Sequence, residues 1–299
     1  MMRDAAPEFP LRDIAPLIGL YGTDRPLLDI YERGGALFAD GCGLSHAPVA
    51  SVAEKLQLHR EREIMAVVDG MRLEKRDFAG AAVTKFRRTI QDDLDRLRVG
   101  SQEVQPPAMP PSSATSDLVD IGAIDASIAI DMRYASTDNF MGVALYDLAV
   151  AFLQRPAAIA LAQVQARLLA RGYRLIVLDA YRPWSVTWMF WQAVPPESRQ
   201  FVADPALGSK HNRGCAVDVT LVEIASGALV SMPSGYDEPS VRADPGYPGG
   251  TSRARWHRDL LRSEMERAGF TVDPYEWWHY DFGEWNAYPV LNTPLAALG

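Results

Sequence analysis

The stretch SKHNRGCAVDVTLVEIASGALV, residues 209–230, changes character at Gly214, where a polar, turn-forming run gives way to alternating β-branched and small apolar side chains. The alternation reads as a strand over 215–224, with SGALV as the second arm of a hairpin. Working outward, RPAAIALAQVQARLLARGY (155–173) spaces Ile159, Val164 and Leu168 as one face of a helix, with Gly172 past its end. RLIVLDAYRP (174–183) is a short buried strand that ends at Asp179, and WSVTWMFWQAV (184–194) reads as helical. DLVDIGAIDASIAIDMRY (117–134) offers one or two strands, and TDNFMGVALYD (137–147) is a loop. Downstream, SRARWHRDLLRSEMERAGF (252–270) is an amphipathic helix closed by Gly269, and EWWHYDF (276–282) is a strand. Helices and hairpins in mixed order predict an α+β fold, a mixed or antiparallel sheet with flanking helices, rather than a repeated βαβ unit.

The run SQEVQPPAMPPSSATS (101–116) is rich in Pro, Ser and Ala and almost free of large apolar side chains, which is linker composition. Before it, APLIGLYG, LLDIYERGGALFAD and RDFAGAAVTKFRRTI are short apolar or alternating runs, the pattern of a small mainly β unit. VAEKLQLHREREIMAVVDG fits helix or strand. The expected organisation is therefore a β accessory domain over 1–100, a linker over 101–116 and a larger domain over 117–299. A net charge of −8 with dispersed Lys and Arg argues against a nucleic-acid partner. No run of about 18 apolar residues suggests a membrane span, and MMRDAAPEFPLRD lacks the apolar centre of a signal peptide. The expected location is cytoplasmic. Cys42 and Cys215 read as two free thiols.

Among the polar residues, His211 and Asp218 stand seven apart and supply two ligands at most, whereas a catalytic zinc site takes three and keeps a position open. The chain has five histidines. His46 and His59 fall before the linker, and His257, in RARWHRDL, reads as a solvated surface residue. His279 sits in an aromatic strand three residues after Glu276. On an extended strand those two point to opposite faces, so a shared site needs a bend; the alternative is a buried Glu and His satisfied within a Trp-lined core. Arg182, just past the strand ending at Asp179, either faces an oxyanion or ties Asp179 into a structural ion pair. Tyr236 and Asp237, in SGYDE, read alone as a turn.

Taken in order, DAYRP, SKHNRGCAVDVTL, SGYDE and EWWHYDF resemble the D-alanyl-D-alanine dipeptidase family, the VanX-type zinc peptidases of the M15 class. The resemblance extends upstream to MRYASTDNFMG (132–142) and so covers nearly everything after the linker. The N-terminal unit lies outside it and resembles, more weakly, the small β accessory domain attached to some peptidases and β-lactamase-related proteins. The resemblance implies one zinc ion per catalytic domain, held by His211, Asp218 and His279, with Glu276 as general base. It also implies that Arg182 stabilises the tetrahedral transition state, and that Tyr134, Ser209 and Asp237 hold a small dipeptide substrate. Lys210 and Asn212 beside His211, and Cys215, depart from the family pattern.

Two imidazoles and one carboxylate leave a zinc site with a net charge of about +1 and one open position, which suits hydrolysis by an activated water. The implied activity is zinc-dependent hydrolysis of D-alanyl-D-alanine with a free amino terminus. One rival is a D,D- or L,D-carboxypeptidase of longer muropeptides built on the same ligand motifs. Asp237, as a partner for a substrate ammonium, argues against it. Another is an inactive module that binds D-Ala peptides or cell-wall fragments, against which Glu276 and Arg182 argue. What the N-terminal unit binds is left open.

Overall fold

The computed structural model describes residues 5–60, 63–108 and 114–299, so part of the expected linker, 109–113, lies outside the described residues. The chain forms two compact units. One comprises the residues up to Ala82 together with Ser231–Leu260, the other Val83–Val230 together with Leu261–Gly299.

The first unit is built on seven antiparallel strands: β1 (Gly19–Gly22), β2 (Pro26–Arg33), β3 (Ala36–Gly41), β4 (Leu44–Pro48), β5 (Leu56–Arg60), β6 (Ile64–Val68) and β7 (Met71–Lys75). Their spatial order is β4-β3-β2-β1-β7-β6-β5, two meanders joined where β1 pairs with β7. Local turn chemistry sets two of the hairpins. Gly34 and Gly35 separate the paired residues Arg33 and Ala36, and Asp69 and Gly70 separate Val68 and Met71. All four take positive φ, as a two-residue primed turn requires. The Asp-Gly turn decides the ambiguous run 52–70 in favour of strands. Alternate side chains, among them Leu28, Ile30, Ala66, Val68 and Leu73, form the core on one face.

The run 76–90, read from sequence as part of the β unit, is instead the helix Phe78–Ile90. Asp77 caps it, its Oδ1 accepting the Gly80 N–H at 2.9 Å, and its alanines favour helix over strand.

Segment 231–260 joins the first unit through β2. Glu32, 3% exposed, accepts the Ser252 N–H through Oε2 at 2.7 Å, and the Gly35 N–H and Ser252 hydroxyl through Oε1 at 2.7 and 3.1 Å. Its carboxylate thus sits at the start of the helix Ser252–Glu266, where a backbone N–H lacks a helical partner and the helix dipole favours negative charge. His257 is buried in this helix, not solvated as its charged neighbours suggest, with Nδ1 3.1 Å from the Ser231 carbonyl. Glu32→Ala leaves those donors without an acceptor and is expected to cost about 2–3 kcal/mol of stability. Denaturant unfolding checks this; an unchanged midpoint would exclude the bridging role.

The second unit carries β8 (Leu118–Asp120), β9 (Ala129–Ile130), β10 (Phe152–Gln154), β11 (Tyr173–Asp179), β12 (Ala216–Glu223), β13 (Phe270–Val272) and β14 (His279–Phe282). Five of these form a sheet in the order β13-β14-β12-β11-β9, antiparallel except for the parallel β11/β9 pair, while β8 and β10 pair separately. The helices Arg155–Leu169 and Trp184–Ala193 accompany it, so the fold class is α+β with a mixed sheet. β12 is central and buried along nearly its whole length, which accounts for its continuous apolar character.

The expected second hairpin arm, SGALV, contributes one isolated bridge, Leu229 to Val222, rather than a strand. β11 takes one edge of β12 along Asp218–Glu223 and β14 the other along Ala216–Asp218. The strand expected over 276–282 begins only at His279; Glu276 lies in a turn closed by the His279 N–H to the Glu276 carbonyl at 3.3 Å. Among the described residues no helix is long and apolar enough to cross a membrane.

Candidate metal centre and active site

Three neighbouring strands place Asp179, Asp218 and His279 in one row across the sheet, since Asp218 pairs with Asp179 on β11 and with His279 on β14. Side chains directly opposite in antiparallel pairs approach to about 5 Å. The row depends on a bulge. Val177 faces Val219, and the next pair is Asp179 with Asp218, so Leu178 is the additional residue that brings the carboxylate into register.

His211 comes from outside the sheet, on a short 3-10 turn, His211–Arg213, closed by Gly214 at φ +66. A side chain at Gly214 would put its Cβ 2.3 Å from Leu118 Cδ2, which would have to move aside, and the left-handed backbone itself favours glycine. The turn docks against the segment after β11 through the Arg182 N–H to the His211 carbonyl, 3.1 Å.

His211, Asp218 and His279, all buried, thereby bring one ligand atom each to within 4.8 Å of one another. His211 Nε2 lies 3.1 Å from His279 Nδ1 and 3.4 Å from Asp218 Oδ1, and His279 Nδ1 lies 3.0 Å from the same oxygen. The outward ring nitrogens are both engaged by acceptors: His211 Nδ1 donates to the Ala180 carbonyl at 2.6 Å, and His279 Nε2 to Asp281 Oδ1 at 3.0 Å. With the protons of the neutral rings placed outward, two nitrogen lone pairs and a carboxylate oxygen face one point. Three acceptors that close repel unless a cation lies among them.

The electrostatics express the same demand. Burial acts to lower the His279 pKa, but its bonds to Asp218 and Asp281 outweigh it and raise the pKa well above the usual histidine range. Burial likewise acts to raise that of Asp218, and His211 and His279 overcome it, holding the carboxyl well below its ordinary range. The donor set, two imidazoles and a carboxylate, fits zinc.

Glu276 stands at the edge of this cluster. The turn, rather than a strand, puts it on the same side as His279, with Oε2 3.9 Å from the ligand nitrogen Nδ1 and the side chain 26% exposed. It lies beside the three clustered residues and is not one of them.

Arg182 makes the ion pair that was the simpler reading of its sequence context. Nε and Nη2 donate to Asp179 Oδ2 at 2.9 and 2.6 Å, and the Tyr146 hydroxyl donates to Oδ1 at 2.6 Å. Burial works against the guanidinium charge, yet Asp179 more than restores it, so Arg182 stays cationic. The group lies over the Tyr134 and Phe190 rings, 5.3 and 4.9 Å from their centroids, and Asp179 Oδ2 is also 3.7 Å from His211 Nδ1. Tyr134 is thus brought beside Arg182, and Asp179 links Arg182 to His211 of the cluster.

Ser209 and Asn212 brace the turn reciprocally. Ser209 N–H donates to Asn212 Oδ1 at 2.8 Å and Ser209 Oγ accepts the Asn212 N–H at 3.0 Å, while Asn212 Nδ2 donates to the Arg182 carbonyl at 2.8 Å. Asp237 belongs to the first unit, where it takes left-handed backbone with φ +56, as its turn context suggests. Cys215 is buried, and burial pushes its thiol up to about 12; it shows no role in the cluster.

Sequence reasoning passed over Asp281 and Tyr146. For Asp281 a signal was present, because residues two apart on a strand share a face and it follows His279 by two. Tyr146 had none, since only the packing of the 137–147 loop carries it to Asp179.

A family model described as D-ala-D-ala dipeptidase matches residues 114–292. The chain is 36% identical over 186 residues to the D-alanyl-D-alanine dipeptidase of Escherichia coli (strain K12), a match covering 62% of this chain and 95% of that protein. It is 32% identical over 171 residues to the D-alanyl-D-alanine dipeptidase of Enterococcus faecalis (strain ATCC 700802 / V583), covering 50% of this chain and 83% of that one. A solved structure of the LdcB LD-carboxypeptidase overlays with a TM-score of 0.35 at 16% identity, covering 58% of this chain and 72% of that chain.

Proposed function

The chain belongs to the peptidase M15 family, the D-ala-D-ala dipeptidases, and from that premise we propose that it is a zinc-dependent dipeptidase that hydrolyses D-alanyl-D-alanine bearing a free amino terminus. The observation that carries this reading is the convergence of His211, Asp218 and His279 with their outward nitrogens already occupied and Glu276 alongside. Zinc held by these three residues would polarise the scissile carbonyl and acidify a water molecule, lowering its pKa from 15.7 towards about 7.

The remaining work falls to the chain's own side chains. Glu276 takes a proton from the attacking water and returns it to the leaving amine as the C–N bond breaks and two D-alanines form. Such transfer contributes typically about 10²–10⁴-fold. Arg182, kept charged by Asp179, stabilises the oxyanion that develops on the carbonyl. Tyr134 and Ser209 shape the substrate site beside Arg182 and His211, and the family resemblance gives Asp237 the role of partner to the substrate ammonium. That role would make an unblocked amino terminus a requirement.

A panel of D,D, L,D and L,L dipeptides, free and N-acetylated, with and without chelator, tests the proposal. Turnover is expected for the free D,D dipeptide, and chelation is expected to abolish it. Comparable turnover of acetylated or extended peptides would instead mark a carboxypeptidase, and binding without turnover or zinc a recognition module.

A further inference from the structure

Of the two histidines in the cluster, His279 is placed by the sheet, whereas His211 rides on a turn outside it, 68 residues earlier in the chain. Metal affinity rises when hydrogen bonds to the outer ring nitrogens hold the imidazoles in orientation before the metal arrives. Beside the His211–His279 contact itself, a charged side-chain bridge spans the two elements. Lys210, adjacent to His211, donates from Nζ to Asp281 Oδ2 at 2.5 Å, and the other oxygen of Asp281 receives the His279 Nε2 proton at 3.0 Å.

The geometry points to Lys210 and Asp281 as a preorganising clasp of the metal centre, with Lys210 a positioning residue. The inference rests on the zinc reading above. Asp281 alone could orient His279, since it shares a strand face with it. Tied to Lys210, the same carboxylate cannot rotate without breaking a second bond, and the turn that carries His211 is fastened to the strand that carries His279.

Surrounding contacts hold the lysine in place. Its Nζ lies 5.6 Å from the centroid of the Trp285 ring, and its carbonyl accepts the Cys215 N–H at 3.1 Å, just where the Phe282 N–H meets the Cys215 carbonyl at 2.8 Å. The clasp therefore sits where the turn, β12 and β14 meet. A lysine about a third exposed and paired with a carboxylate is by default a surface ion pair of little consequence. What separates the two roles is metal affinity, which a merely structural pair leaves alone.

The test uses the full chain with Lys210→Met, Lys210→Arg, Asp281→Asn and the double variant Lys210→Met/Asp281→Asn. Zinc affinity is read by competition with a chromophoric chelator, ligand geometry from the visible spectrum of the cobalt(II) form, and stability from thermal unfolding of the metal-free proteins. Asp281→Asn is expected to weaken zinc binding about 10–100-fold and Lys210→Met about three- to tenfold in the same direction, with altered cobalt spectra. Lys210→Arg should restore affinity to within about twofold, and the double variant should bind no more weakly than Asp281→Asn, because Lys210 acts through Asp281.

Unchanged zinc affinity in Lys210→Met, with or without a shift in unfolding temperature, overturns the clasp, as does an equal loss when that substitution is made in the Asp281→Asn background. A wild-type protein that takes up no zinc brings down the zinc reading as well. One that binds zinc tightly, beside variants that bind it equally well, removes the clasp alone.

Discussion

Glu276→Ala is expected to retain zinc and lose about 10²–10⁴ in turnover of D-alanyl-D-alanine, the range over which a positioned general base contributes. The two outcomes separate because the carboxylate lies beside the ligand set rather than in it, 3.9 Å from His279 Nδ1, while the three clustered ligands come from other residues. Its side chain is 26% exposed, so water replaces it in the alanine variant and the buried cluster is left intact. Metal analysis alongside steady-state kinetics reads both quantities. Stoichiometric zinc with undiminished turnover would remove Glu276 from the proton transfer, and loss of zinc would make it a ligand.

His211→Ala is expected to lose metal and activity together. Its Nε2 is one of three donors, and Asp218 and His279 alone leave a catalytic zinc site one ligand short. A Lewis acid is worth several kcal/mol of transition-state stabilisation, which at 1.36 kcal/mol per decade means a fall of about 10³-fold or more. The substitution also strips the Ala180 carbonyl of its donor and removes an imidazole 3.7 Å from Asp179, so the pocket around Arg182 loosens as well. Zinc content and kcat/KM, measured with and without added zinc, check the prediction, and partial recovery at high zinc is the expected pattern. Full zinc occupancy in the dialysed variant would show that His211 is not a ligand. Comparing the two variants distinguishes the residue that holds the metal from the one that moves the proton.

Much of the centre was open to a reader of the sequence because its parts lie in short runs with strong local character. Gly214 announces a turn before a β-branched strand, and the structure gives it the left-handed backbone, φ +66, that favours glycine. The run 52–70 stayed open between helix and strand in the sequence, and the positive-φ Asp-Gly turn at 69–70 in the structure made it strands. The four motifs pointed to the family that the comparison supports over 114–292.

Other features were hidden for equally physical reasons. His257 lies among charged neighbours, yet is buried because its helix face packs within the first unit. The SGALV arm had the composition of a strand but forms only a bridge, Leu229 to Val222.

The sequence by itself determined the turn that presents His211, the strand character of β12 and, through its motifs, the family whose resemblance implies the donor set. Tertiary structure decided how those pieces meet. The bulge at Leu178 sets Asp179 opposite Asp218, the turn at 276 swings Glu276 to the ligand side, and Asp281 joins Lys210 to His279. A strand's own pattern specifies which residues alternate but not which neighbour they face, and a shift of one residue would send the whole row to the opposite side of the sheet. Register is a property of long-range pairing, and the row Asp179, Asp218 and His279 is written in register.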